Sequence, residues 1–319
     1  MKCSDFYFSS KKDGKEIFTY KFQCDDDVVV KGVVQISHGM AEHGARYKEF
    51  AKLLTDNGYN VYVNDHRGHG KTAKDLINAG YLANENGFDY LVDDIHTLTQ
   101  IVKEENKGLP LILFGHSMGS FASQHYAIKY SNEIDGLILC GSNGDFGSIL
   151  NLANCIVKMV TKIKGRTYRS KFIDRLFFGN SNKNFNPKKS DVDWLSRDEK
   201  EVSKYINDPM CGFICTCGFF DDFIQGLKFI EKKSNILKVR KDLPILIISG
   251  DKDPVGKDGK GIINLKSRYE KTGIEDVRCI LYKDGRHEIL NEINKEEVKT
   301  DIMKWIVEKI ENKNLIKEY

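Results

Sequence analysis

Ser117 lies in Gly115-His116-Ser117-Met118-Gly119, a G-x-S-x-G pentapeptide. A serine hydroxyl is a weak nucleophile and needs a base, and the base needs an acid to orient it. The chain supplies both, in the order serine, acid, histidine that this pentapeptide demands. Asp251 and Asp253 follow the apolar run PILIISG, and His287 follows the run RCILY and a short polar turn. His125 falls inside the helix expected after Ser117, which leaves His287 as the remaining histidine downstream and the candidate base. Both aspartates sit just past an apolar run. Asp253 is preferred because a residue further into the loop reaches across to the next strand's loop. Such a set performs acyl transfer, which also needs N–H donors aimed at the developing oxyanion. The Met118 N–H, directly after the nucleophile, is one candidate. The Met40 N–H is the other, in the loop VVQISHGMAEHG, where His38 and Gly39 close an apolar run. Both methionines would act through their backbones.

These residues need elements to carry them. Leu111–Phe114 has no polar alternation, which suits a strand buried on both faces of a parallel sheet. Phe121, Ala122, His125 and Ile128 then recur at helical spacing. In so tight a strand-to-helix turn the serine takes strained backbone angles, and Gly115 and Gly119 let strand and helix approach without Cβ clashes. The hydroxyl is thereby lifted to a helix N-terminus, which favours an anion. Further strands are expected at Asp5–Ser9, Glu16–Phe22 and Lys31–His38, and in YNVYVND, IDGLILCG, LPILIISG and VRCILY. Helices are expected between them. One places Tyr47, Phe50, Ala51 and Leu54 on a single face and stops at Gly58; a final one runs from about Glu296. Alternating strands and helices mean βαβ units, an α/β class and a mostly parallel sheet.

The alternation fails between about Asn143 and Arg240, where only helices are expected. The chain therefore reads as a core (1–142), an inserted helical cap (143–240) and the rest of the core (241–319). An independent helical domain inserted at the same place is the alternative. A cap would lie over the carboxyl ends of the strands, where open α/β sheets bind ligands. Its aromatics, among them Phe146, Phe177, Phe178 and Phe223, pack a core and would also line an apolar channel for an acyl chain. VKMVTKIKGRTYRSKF mixes apolar residues with lysines and arginines, so peripheral membrane contact through the cap stands beside a solvated basic loop.

Composition narrows the function. A formal net charge of +3 with no basic stripe argues against nucleic-acid binding. The first ten residues lack the apolar stretch of a signal peptide, and no run approaches the ~18 apolar residues of a spanning helix. Eight irregularly spaced cysteines suit reduced thiols in the cytoplasm. Cys211, Cys215 and Cys217 lack the paired C-x-x-C spacing of zinc sites and read as small buried thiols. No metal and no cofactor is expected. His38, His43, His66 and His69 read as loop hydrogen-bonding residues, Asp65 and Arg67 as an ion pair, and His116 as a structural side chain pointing away from the site.

Taken together, HGMAEHGARY, DHRGHGKT, GHSMGS, SGDKDPVG and GRHEILNE resemble the monoacylglycerol lipase and lysophospholipase branch of the α/β-hydrolases, often termed serine aminopeptidase-like. The motifs run in order across nearly the whole chain, and YINDPMCGF in the cap segment is similar to bacterial members. The resemblance implies Ser117 as nucleophile, Asp253 rather than Asp251 as acid, His287 as base and the Met40 and Met118 N–H groups as the oxyanion hole. It departs at Thr72, where a serine is expected and a hydroxyl is kept. The implied substrate is a single-chain lipid ester, monoacylglycerol or lysophospholipid. A short-chain carboxylesterase, a peptidase, or a catalytically inactive ligand-binding protein of the same fold are the alternatives. The motifs carry no information on oligomeric state.

Overall fold

A computed structural model describes residues 1–317. The strands are β1 (Lys2–Ser9), β2 (Glu16–Gln23), β3 (Gly32–Ser37), β4 (Tyr59–Asn64), β5 (Leu111–His116), β6 (Gly136–Cys140), β7 (Ile245–Gly250) and β8 (Val277–Tyr282). They form one eight-stranded sheet in the order β1-β2-β4-β3-β5-β6-β7-β8. β1 pairs antiparallel with β2, and β2 antiparallel with β4; from β4 to β8 every pairing is parallel. β1 begins at Lys2, earlier than apolar patterning suggests, because the polar residues Lys2, Cys3 and Ser4 pair with Gln23, Phe22 and Lys21 of the hairpin partner.

The parallel strands read as continuous apolar runs because helices cover both faces. In β5, Leu111 and Leu113 join one core cluster, whereas Ile112 and Phe114 join the other. β6 and β7 repeat the alternation, with Leu137 and Leu139 against Ile138, and Ile245 and Ile247 against Leu246 and Ile248. The second cluster is completed by α1 (Lys48–Asp56) and α11 (Lys295–Lys317). After α1, Gly58 takes a φ of 94°, as a helix-ending glycine does. The short α2 (Gly70–Ala73) follows β4. The first cluster is completed by α3 (Gly87–Glu105), α4 (Met118–Tyr130) and residues of five later helices.

Between β6 and β7 lie α5 (Ile149–Lys164), α6 (Lys171–Phe178), α7 (Glu199–Asn207), α8 (Cys217–Glu231) and α9 (Lys233–Ile236); α10 (Lys260–Lys271) follows β7. Among the described residues this segment contains no strand, only an isolated bridge between Arg169 and Thr216. Side-chain oxygens of Ser170, Asp198 and Thr216 cap α6, α7 and α8. α8 is not peripheral: Phe219, Phe220, Phe223, Ile224, Leu227 and Ile230 join the first core cluster. It sits so close to α3 that a Cβ on Gly226 would lie 2.1 Å from Phe88 Cδ1. α5 buries Leu150 and Val157 and turns Ile149, Leu152, Met159 and Ile163 outward.

Candidate active site

The turn from β5 into α4 sets Ser117 at φ 51° and ψ −119°, a conformation that costs a non-glycine residue free energy. Close packing enforces it. A Cβ on Gly119 would fall 2.0 Å from the Ser37 carbonyl oxygen, and one on Gly115 would fall 2.5 Å from the Gly119 carbonyl oxygen. Glycine at both places lets β3, β5 and α4 converge beneath the serine. The Ser117 N–H donates to the Cys140 carbonyl of the neighbouring strand at 2.9 Å, which anchors the turn to β6.

Asp253 lies just past β7 and is fully buried. Its Oδ1 is 2.9 Å from His287 Nδ1 and accepts the Val255 N–H at 2.9 Å, while Oδ2 accepts the Ser249 hydroxyl at 2.8 Å. Burial alone would raise this carboxyl, but the His287 charge and these hydrogen bonds outweigh it and hold it below its ordinary value. Burial likewise opposes charge on His287, and the Asp253 charge and hydrogen bond reverse that and raise it. Asp251 accepts the Asp284 N–H at 2.8 Å instead, tying together the loops after β7 and β8.

Ser117, His287, Gly39, Met40 and Met118 line one cavity of about 780 Å³. Among the described residues, the N–H groups of Met40 and Met118 have no hydrogen-bond acceptor outside regular secondary structure. His38 sits behind this loop. Its Nδ1 lies 2.8 Å from the Gly39 carbonyl and its Nε2 accepts the His66 N–H at 3.0 Å. Those partners fix the neutral tautomer with the proton on Nδ1, and burial pushes its pKa well down, as it does for His66. The cavity lining includes the apolar side chains Phe121, Phe146, Leu150, Phe177, Phe223 and Leu227 beside the charged Asp174, Arg175, Lys188 and Asp191.

Three readings of the sequence are corrected. His116 does not turn away from the site: it lines the cavity, its ring centroid lies 4.9 Å from that of His287, and burial followed by the His287 charge lowers its pKa to about 4. Arg67 does not pair with Asp65; it bonds Asp94 at 2.8 Å and Asp13 at 3.0 Å, while Asp65 accepts the Gly44 and Lys71 N–H groups at 2.7 Å. Of the three cysteines in MCGFICTCG, Cys215 and Cys217 are buried, but Cys211 is only partly so. Its sulfur, His43 and Asp208 bring ligand atoms within 4.8 Å of one another. There His43 Nε2 already bonds Asp208 at 2.8 Å, and burial raises the Cys211 thiol, which keeps it protonated.

Sequence reasoning also missed Trp194 and Glu42. The Trp194 carbonyl accepts the His287 N–H at 3.2 Å and its ring centroid lies 4.9 Å from the imidazole. Nothing local to LSRD or VDW signals that contact. Glu42 and Arg46, by contrast, stand at i,i+4 in AEHGARY, a spacing that signals an ion pair.

The chain is 28% identical over 284 residues to a monoacylglycerol lipase of Mycolicibacterium smegmatis, covering 88% of this chain and 90% of that protein. It is 23% identical to a probable lysophospholipase L2 of Haemophilus influenzae, covering 94% and 90%. Among solved structures, a thermostable carboxyl esterase from Bacillus coagulans in complex with glycerol superposes with a TM-score of 0.90 at 30% identity, covering 97% of this chain and 99% of that one. Residues 29–294 match the profile of the serine aminopeptidase S33 family, and the chain belongs to that family of α/β-hydrolases.

Proposed function

We propose that this chain is a serine hydrolase that cleaves the carboxylic ester of a single-chain lipid, monoacylglycerol or lysophospholipid. The observation that carries the reading is the strained Ser117 lining a largely apolar cavity that it shares with His287, itself bonded to a buried Asp253. Ser117 attacks the ester carbonyl while His287 takes its proton. Asp253 holds the imidazole with its proton on Nδ1 and stabilises the imidazolium. The Met40 and Met118 N–H groups receive the oxyanion. His287 then protonates the leaving alcohol and activates the water that frees the acid. Each buried methylene of the acyl chain contributes about 0.8 kcal/mol, so an apolar cavity of this size favours a long chain. Residues 143–240 carry the cap over the site, with α8 rooting it in the main core. The exposed apolar side chains of α5, together with the exposed Phe172 and Leu176 of α6 and with Lys158, Lys162 and Lys171 of the same segment, rest on an anionic lipid surface. No described helix is long and apolar enough to cross a membrane. The eight free cysteines suit a cytoplasmic setting.

Labelling with a fluorophosphonate tests the chemistry. Wild type reacts, and Ser117→Ala and His287→Ala do not; a folded wild type that fails to react would sink the reading. A series of p-nitrophenyl esters from two to sixteen carbons tests the substrate. The similarity to a carboxyl esterase favours a second reading, short-chain esterase, and a rate maximum at two to four carbons would establish that one instead.

A further inference from the structure

The charged groups behind the Met40 loop take no part in the steps above, yet they are bonded to its backbone. Glu42 is 3% exposed. Its Oε1 accepts the Gly39 N–H and, at 2.9 Å, the Tyr47 hydroxyl; its Oε2 accepts Arg46 Nη1. Arg46 forks onto both oxygens of Glu288 at 2.7 Å, and Glu288 adjoins His287 in the chain. A Cβ on Gly39 would lie 2.7 Å from Glu42 Oε1 and 3.3 Å from Ser117 Cβ, so the carboxylate packs against the backbone facing the nucleophile. The loop is held from the other side as well. Ala41 has a φ of 53°, and its carbonyl accepts the Gly212 N–H at 2.9 Å and the Tyr205 hydroxyl at 3.1 Å. The Tyr205 ring faces the Arg46 guanidinium at 5.0 Å.

We propose that Glu42 is the positioning residue of the oxyanion hole, and that Arg46 ties its loop to the base-bearing loop through Glu288. The proposal rests on the assignment of the Met40 N–H as an oxyanion donor. A donor stabilises a developing charge only to the extent that it is already aimed there, and a peptide preceded by glycine rotates readily unless its neighbours are bonded. Glu42 supplies that bond at the Gly39 N–H. Its own negative charge would repel an oxyanion so close by, and Arg46 neutralises it. The fork to Glu288 keeps Arg46 in place and fixes the distance between the donor loop and His287.

The test is steady-state hydrolysis of a short p-nitrophenyl ester by the full chain, with a trifluoromethyl ketone as tetrahedral-adduct inhibitor. Arg46 keeps its Glu288 fork in Glu42→Ala, so its charge stays paired. The variant's kcat falls about 100-fold, the cost of one misaligned oxyanion donor, while KM stays within about twofold. Inhibitor affinity falls in parallel with kcat/KM. Glu42→Gln, which keeps an acceptor for the Gly39 N–H, recovers kcat to within about tenfold of wild type. Tyr47→Phe removes one bond to Oε1 and lowers kcat several-fold at unchanged KM, and it decides the matter if Glu42→Ala does not fold. Wild-type kcat in folded Glu42→Ala or in Tyr47→Phe, a loss confined to KM, or a Gln variant as poor as Ala would overturn the proposal. Hydrolysis by wild type that survives Ser117→Ala would overturn the reading of the active site instead.

Discussion

His287 is held above its ordinary value of 6.5: burial disfavours the imidazolium, but Asp253, and after it Glu288 and Glu42, more than compensate. A general base works only when neutral, so kcat/KM falls as the pH drops through an apparent pKa above about 6.5. In Asp253→Asn the largest raising influence is gone and the burial penalty stays, so the acid limb moves to lower pH. kcat drops by about 10³- to 10⁴-fold as the tautomer is lost. A pH–rate profile checks both, and an acid limb that stays in place would contradict the coupling. Ser117 and His287 were legible because the chemistry prescribes residue types in a fixed chain order. Glu288 beneath Arg46 was not, since that contact joins positions 242 residues apart. Asp65 and Arg67, two residues apart, misled for the opposite reason. The buried Asp65 carboxylate is spent on two backbone N–H groups, that of Lys71 in its own turn and that of Gly44 in the segment after β3, and a fully buried guanidinium needs the full charges of Asp13 and Asp94.

At the level of elements, the parallel strands were readable because both faces are covered, which removes polar positions altogether. The hairpin was less so: hydrogen bonding to a neighbour, not apolar content, extends β1 back to Lys2. Helices between β6 and β7 were readable as helices, but which face each buries was not, since α5 is apolar on the inner side and the outer side alike. That second face has a testable consequence. Met159 and Ile163 are 63% and 71% exposed. Met159→Glu and Ile163→Glu weaken co-sedimentation with phosphatidylglycerol vesicles about tenfold, the scale of losing one inserted side chain. Hydrolysis of a soluble short ester is unchanged. Equal sedimentation of wild type and variants would remove the lipid surface as the partner of this face.

Across the whole molecule, Arg67 joins parts that are far apart in the chain. It is fully buried, bonds Asp94 in α3 and Asp13 in the β1–β2 turn, and donates to the Leu82 carbonyl at 3.1 Å. Arg67→Met leaves the buried Asp94 carboxylate without its counter-charge and costs about 3–5 kcal/mol, read as a lower urea midpoint. Because Asp94 then gains stability by taking up a proton, the variant's deficit shrinks as the pH falls towards 5. A deficit independent of pH would locate the loss in packing instead of charge.

The position of α8 has a consequence for how this chain can be recombined with its relatives. Since α8 lies in the main core against α3, a foreign segment spliced in at the ends of β6 and β7 would bring its own return helix into a groove shaped by Phe88. A graft that ends before Thr216 avoids this. There the backbone N–H and the side-chain hydroxyl both donate to the Gly80 carbonyl, so the junction is fastened to the scaffold where the donor sequence ends. Chimeras that exchange α5 to α7 would leave α8 in its groove, but must keep Trp194, Tyr205 and Gly212, whose contacts hold His287 and the Met40 loop.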